Sequence, residues 1–244
     1  WEQKRPVGEI LSASVVPSVS VTLPALVLTT LIAVTVALVA AYLRGTLTDR
    51  VLMFAAVVGM SVSLLVYVVL GQYYGAAWPR ARLGIAWFAI SGYEPVLDAG
   101  RVRVWNWVHY CLLPVVITVV LTIGYDTRFY RSVMVEECER DYIVTAVAKG
   151  ASKPKIMFVH MLKNAMIPVV TRIMITLPFL IEGSVLVEYY FGIPGMGRTL
   201  IQAIASKDFP VIQAFTAVFA AIFIVCNILT DVLYALVDPR VRLS

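Results

Sequence analysis

Residues 18–43 read SVSVTLPALVLTTLIAVTVALVAAYL, and the nearest charged side chains on either side are Glu9 and Arg44. A helix rises 1.5 Å per residue, so about 20 residues cross a hydrocarbon layer about 30 Å thick. The stretch exceeds that length, and it also exceeds the roughly 7–15 apolar residues of a signal-peptide core. In lipid every backbone polar group must be satisfied within the protein, which a single helix achieves by itself. The stretch is therefore predicted to be a membrane-spanning helix.

The pattern repeats along the chain. No Asp, Glu, Lys or Arg lies between Arg50 and Arg80, between Arg103 and Asp126, or between Asp208 and Asp231. Spans are predicted over 18–43, 51–73, 108–127, 166–188 and 210–237. Pro24 is placed near the start of the first and Pro114 inside the third. The fourth is the least uniform, with Pro168, Pro178, Arg172 and Glu182. The expected fold class is an all-α integral membrane protein with about five transmembrane helices.

Composition agrees. Of 244 residues, 60% are hydrophobic and 14% charged, with a mean hydropathy of +0.86. A soluble domain carries about 25% charged residues, and its interior could not hide this much apolar surface. An outer-membrane barrel would show alternating segments of about ten residues instead. The net charge of +5 does not signal a nucleic-acid partner, because aromatic and basic residues are not interleaved as a single-strand surface needs. The basic side chains sit between the spans, where they meet anionic lipid. Cys111, Cys138 and Cys226 are far apart and fit neither a disulfide framework nor a metal site. The chain begins at Trp1, so a preceding segment is expected.

Three connections remain. The first, 79–107, contains an apolar piece, Leu83–Tyr93, too short to span, with aromatic residues suited to the interface. The second, 128–165, holds Arg128, Arg131, Arg140, Lys149, Lys153, Lys155 and Lys163. An excess of basic residues marks cytoplasmic loops, which assigns this loop, the 44–50 turn and the terminal Arg240 and Arg242 to the cytosol. The 74–107 and 189–209 connections then fall outside. No P-loop, no H-E-x-x-H and no paired histidines appear. Both His109 and His160 stand alone. Energy must come from another subunit or an ion gradient, and no catalytic residue, cofactor or metal site is expected on this chain.

The most informative piece is 141–169, DYIVTAVAKGASKPKIMFVHMLKNAMIPV. It predicts a helix, a turn at Gly150, and a second short helix with Ser152 as N-cap and Pro154 in its first turn. The small residues Thr145, Ala146, Ala148, Gly150 and Ala151 allow a partner to approach closely. Two physical readings stand: a knob gripped by a soluble subunit, or an amphipathic helix resting on the membrane surface.

This segment resembles the cytoplasmic EAA loop of bacterial ABC importer permeases of the dipeptide, oligopeptide and nickel branch. The match falls on Asp141, Tyr142, Ile143, Thr145, Ala146, Ala148, Lys149 and Gly150, and continues at His160, Lys163, Asn164, Ala165, Ile167 and Pro168. Glu188, Phe191, Pro194, Gly195, Met196 and Gly197 are similar to the branch's outer-loop motif. Asp208–Phe209–Pro210 and Asp238–Pro239–Arg240 resemble further landmarks. The chain departs from the general pattern with Val144, Thr145 and Ala146 in place of Glu-Ala-Ala, and has Val144 and Val147 where branch members carry Arg.

The resemblance implies a plasma-membrane permease forming half of a translocation path, with six spans in the family and the first missing here. The implied partners are a second related permease, two ATPase subunits or domains that bind ATP and Mg, an extracytoplasmic binding protein, and lipid. Asp141, Thr145, Ala146, Ala148, Lys149 and Gly150 would dock the ATPase, with Arg128 and Arg131 placed to meet lipid phosphate or that same subunit. Glu188, Pro194, Gly195 and Gly197 would form an outer gate or receptor-docking tip. Arg172, Glu182 and Asp231 either line the path or pair structurally. Peptides are the expected cargo, with nickel chelates, opines or oligosaccharides as alternatives. An ion-coupled carrier, a structural membrane subunit and an exporter permease are the competing readings.

Overall fold

The computed structural model describes residues 6–95, 97–98, 101–181 and 185–237, with backbone only at 97–98, 101–102, 153, 179–181 and 233–237. The helices are α1 (Val7–Tyr42), α2 (Leu47–Ser61), α3 (Leu64–Gln72), α4 (Trp78–Leu83), α5 (Val104–Tyr110), α6 (Leu112–Cys138), α7 (Asp141–Ala148), α8 (Lys153–Lys155), α9 (Leu162–Ile181), α10 (Val185–Phe191), α11 (Met196–Ala205) and α12 (Phe209–Val237). π-Helical turns join α3 to α4 and α8 to α9. A two-residue ladder, β1 (Leu97–Asp98) with β2 (Arg101–Val102), precedes α5. Among the described residues, four helical stretches are long and apolar enough to cross a membrane: Val7–Tyr42, Leu112–Cys138, Ile156–Pro178 and Phe209–Val232. Leu47–Ser61 with Leu64–Leu83 makes a fifth if the bent pair counts as one span. The protein is an all-α integral membrane protein.

Several boundaries differ from those expected. The first helix starts at Val7, so Pro17 and Pro24 lie inside it. Proline lacks the N–H that would bond the carbonyl four residues earlier. For Pro24 that carbonyl is Ser20's, and the Trp107 indole N–H donates to it at 2.8 Å. The helix expected over 51–73 is broken at Val62 and Ser63, both extended. Short hydroxyl side chains on either side of Val62 favour leaving the helix.

The third helix runs on to Cys138, carrying Asp126, Arg128 and Arg131 within it. The second short helix of the 128–165 segment is not separate. It continues through the π turn Ile156–Met161 into α9, so the fourth helical stretch begins well before 166. It is described as far as Ile181, and Glu188 falls in α10. The 189–209 loop contains a true helix, α11. Met196, Leu200 and Ala203 share one face and pack with Ile10, Val211 and Phe215, the spacing of an amphipathic helix. Glu182, Arg240 and Arg242 lie outside the described residues.

The chain divides into two compact units, one from residues up to 26, 63–119 and 176–227, the other from 27–62, 120–175 and 228 onward. In the first, Val21, Ala25, Val68, Cys111, Val115 and Val187 belong to one buried cluster. The 84–93 segment is held there by its backbone. Ala89 N–H bonds the His109 carbonyl, Gly92 N–H bonds that of Phe191, and the Gln72 side chain donates to Ile90 and Tyr190. In the second, Leu38, Ala41, Met134, Ile143, Met161 and Ala165 form the core beneath α7. Close helix contact is built in by Gly124, where a Cβ would lie 2.5 Å from the Ala56 carbonyl oxygen.

Candidate functional site

Helix α7 begins with Asp141 in its first turn, where an acid meets the positive end of the helix dipole. It ends in a Schellman turn. Gly150 N–H bonds the Val147 carbonyl at 2.9 Å and Ala151 N–H that of Ala146 at 3.1 Å, satisfying carbonyls the helix leaves orphaned. The turn puts Gly150 at φ +75°, with open space around the missing Cβ. Gly150 is thus required by backbone conformation rather than by crowding.

The inner face of α7 buries Ile143 and Ala146. Its outer face leaves Val144 65% and Val147 58% exposed, with Thr145, Ala148 and Lys149 exposed beside them. A cleft of about 600 Å³ opens between α7 and the start of the next helix, lined by Tyr142, Thr145, Lys149, Gly150, Lys155 and His160 among others. Burial, reinforced by a 2.5 Å hydrogen bond to Glu137, pushes the Tyr142 hydroxyl up to about 12, so it stays neutral. Among the described residues the lining of the cleft contains two lysines and no acid, which gives it a cationic character.

Around this helix the turn after α1 is pinned. Asp49, 4% exposed, accepts Arg131 Nε at 2.7 Å and Arg131 Nη2 at 2.6 Å, and also the Gly45 N–H at 3.1 Å. The exposed Arg44 reaches Glu139 at 2.7 Å. Farther along, Arg172 Nε meets Asp126 at 3.1 Å and its guanidinium lies 5.7 Å from the Phe129 ring centre. Arg172 is therefore engaged in an ion pair. Asp231 is exposed.

A second constellation surrounds Glu188. Helix α11 has Gly195 as its N-cap, which offers no side-chain oxygen to the first N–H groups. Neighbours supply it. Met196 N–H donates to Ser18 Oγ at 2.7 Å, and Ser18 O–H donates to Glu188 Oε1 at 2.6 Å. Gly197 and Arg198 N–H donate to Glu188 Oε2 at 2.9 and 3.1 Å. Three successive amides of the first turn are satisfied, and a carboxylate sits at the positive end of the dipole. Burial at 1% exposure raises the Glu188 carboxyl above its ordinary range, against the lowering effect of these donors. The motif's glycines are explained by space. A Cβ on Gly195 would come within 2.5 Å of Glu188 Oε2 and Ser18 Oγ, and one on Gly197 within 2.7 Å of Val185 Cα. The Arg198 guanidinium completes the turn by donating to the Gly192 carbonyl.

Of the residues singled out by sequence, Thr145, Ala146, Lys149 and Gly150 share the α7 cleft, although Ala146 is also part of the core. Glu188, Gly195 and Gly197 come together in the interior, and of that motif Pro194 is exposed. Sequence reasoning did not find Ser18, Asp49 or the exposed valine pair as functional positions. Val144 and Val147 carried a signal, since they depart from the resembled motif. Asp49 carried a weaker one, as an acid at the mouth of an apolar run.

The chain matches the family described as "Binding-protein-dependent transport system inner membrane component" over residues 33–243. It is 34% identical over 238 residues to a protein of Brucella abortus described as a peptide transport system permease, covering 98% of this chain and 73% of the relative. A Sinorhizobium fredii protein described as a peptide ABC transporter permease is 33% identical over 237 residues, 97% of this chain and 72% of the relative. The glutathione transport system permease protein GsiC of Salmonella typhi is 34% identical over 243 residues, 98% of this chain and 72% of the relative.

Proposed function

The chain belongs to the family of binding-protein-dependent transport system inner membrane components, and on that premise we propose that α7 with its glycine turn is where an ATPase subunit takes hold. The protein is a transmembrane permease subunit of an ABC importer and a multi-pass protein of the bacterial inner membrane. It works within a multi-subunit complex, with ATP hydrolysis on separate subunits.

The observation that carries the docking proposal is the exposed apolar pair Val144 and Val147 on a short helix whose opposite face is anchored in a core. An exposed apolar pair with a cationic cleft beside it suits a partner groove that is apolar at its centre and acidic at its rim. In the proposed arrangement the bent pair α2 to α4 counts as one span, giving five. The 128–165 segment faces the cytosol between the third and fourth spans, and 189–209 faces outward, where a binding protein delivers cargo. A second permease and two ATPase subunits complete the assembly. Peptides are the proposed cargo, supported by the peptide and glutathione permeases that the chain resembles along nearly its whole length.

The test is a Val147→Cys variant in the assembled transporter, treated with a short thiol-to-amine cross-linker. Cross-linking to an ATPase subunit, with labelling by a membrane-impermeant thiol reagent from the cytosolic side alone, is the expected result. Labelling from outside, or no nucleotide-hydrolysing partner in the cross-linked product, refutes it. Mass spectrometry of the loaded binding protein identifies the cargo.

A further inference from the structure

We propose that Asp49 and Arg131 are positioning residues of the transport cycle, a two-point pin that makes the turn after α1 travel with the docking helix. The proposal rests on α7 being the ATPase contact and adds how a push on it is passed on. Helix α7 does not stand on a flexible stalk. Ile143 and Ala146 are buried on its inner face, and Ile143 packs in one cluster with Leu38 and Ala41 of α1, Met134 of α6 and Met161. A densely packed interior transmits displacement instead of absorbing it. A push on the outer face of α7 therefore reaches the last turns of α1 directly.

Apolar packing resists compression and separation, but it is non-directional and does little to fix register against sliding. The ion pair supplies what the cluster lacks. Both carboxylate oxygens of Asp49 are held by the guanidinium fork, at 2.7 and 2.6 Å, the planar bidentate geometry that only Arg offers. Asp49 Oδ2 also accepts the Gly45 N–H, which fixes the turn itself, while Thr46 caps α2 at the Asp49 amide. The turn after α1 and the start of α2 are thus tied to α6 at Arg131, one helical turn before Met134 of the α7 core. Arg44 with Glu139 adds a contact, but its side chains are 53% and 66% exposed and such pairs contribute little. The Asp49–Arg131 pair, with its carboxylate buried and its guanidinium a quarter exposed, carries the tie. A physical coupling route requires a contiguous packed element that one site can displace, and the core together with the pin forms one.

The experiment uses the whole transporter in liposomes with its ATPase subunits and binding protein, and reads cargo moved per ATP hydrolysed. Asp49→Asn keeps the shape but leaves the guanidinium without its charge partner, and is expected to cut that ratio about tenfold or more. Arg131→Lys keeps the charge and loses the fork, and is expected to cut it about threefold. In both, ATPase subunits should copurify and cross-link to Val147→Cys as in the parent. A merely structural role would lower the yield of complex and leave the ratio per assembled complex unchanged, which overturns the proposal. Should Asp49→Asn not assemble, Arg131→Lys decides by the same ratio. A parent transporter without the Val147→Cys cross-link overturns the docking reading and this inference together, whereas an intact cross-link with an unchanged ratio overturns the pin alone.

Discussion

Replacing Glu188 with Ala should be the most damaging single change in the 185–205 segment. The carboxylate accepts Ser18 O–H and the amides of Gly197 and Arg198, and a buried donor left without a partner costs about 1–3 kcal/mol. Ser18 can turn its hydroxyl to a carbonyl of its own helix, so the amides carry most of the loss, and removing a buried carboxyl returns part of it. The net expectation is about 3–5 kcal/mol. At about 2–4 °C per kcal/mol for a chain of this size, the melting temperature should fall by about 10 °C. Glu188→Gln separates hydrogen bonding from bulk. Its amide oxygen can serve both backbone donors, and the cost should be about 1 kcal/mol.

The titration adds a sign. Burial raises the Glu188 carboxyl in the fold, so the protonated form is favoured there relative to the unfolded chain. That contribution is complete below the unfolded acid's ordinary value and is lost as pH rises through the raised one. Parent stability should decline over that window, while Glu188→Gln, which does not titrate, should lack this part of the slope. Thermal unfolding of the purified complex in detergent at several pH values measures all of this. An Ala variant within about 1 kcal/mol of the parent, or a Gln variant as damaged as the Ala one, would refute the capping account.

Other outcomes follow from the same contacts. Gly195→Ala should destabilise by about 1–3 kcal/mol, because its Cβ would fall 2.5 Å from Glu188 Oε2 and Ser18 Oγ; combining it with Glu188→Ala should give less than the sum, read in a double-mutant melt. Gly150→Ala meets open space but must hold φ +75°, and should cost about 1–2 kcal/mol of α7 stability, visible as faster amide exchange at Gly150 and Ala151. Lys207→Gly should stabilise by about 1 kcal/mol, since Lys207 sits at φ 58° where glycine is unstrained. Val144→Asp together with Val147→Asp should abolish ATPase copurification while leaving the unfolding free energy within about 1 kcal/mol, as both side chains are exposed.

The apolar spans were legible in sequence because lipid demands length and lack of charge, and both can be read from residues alone. The ends of the spans were less legible. Arg128 and Arg131 looked like loop residues, yet they lie within α6, where Arg131 pairs with Asp49 and the nearby Asp126, already inside the expected span, pairs with Arg172. Each partner lies tens of residues away, and no local rule anticipates it. The break at Val62 was likewise hidden inside an uncharged run, because hydropathy gives little weight to Ser61 and Ser63 beside it and does not register a change of backbone direction. The turn at Gly150 was legible for the opposite reason: a Schellman motif is entirely local, and its glycine stands in place.

The outer motif shows where local reading stops. Pro194–Gly195–Met196–Gly197 suggests a loop, because glycine and proline end helices and Gly195 is a poor cap compared with Ser or Asp. The structure starts a helix there by borrowing the cap from elsewhere, with Ser18 at a separation of 170 residues from Glu188 and Glu188 itself on the preceding helix. The missing side chains at Gly195 and Gly197 are then the condition for the borrowed carboxylate to enter, since a methyl group at either would occupy space taken by Glu188, Ser18 or the Val185 backbone. A motif that reads as a loop in sequence is therefore a capped helix start in the fold. Its glycines and its acid form one unit, and a substitution at any of them should be read against the state of the other two.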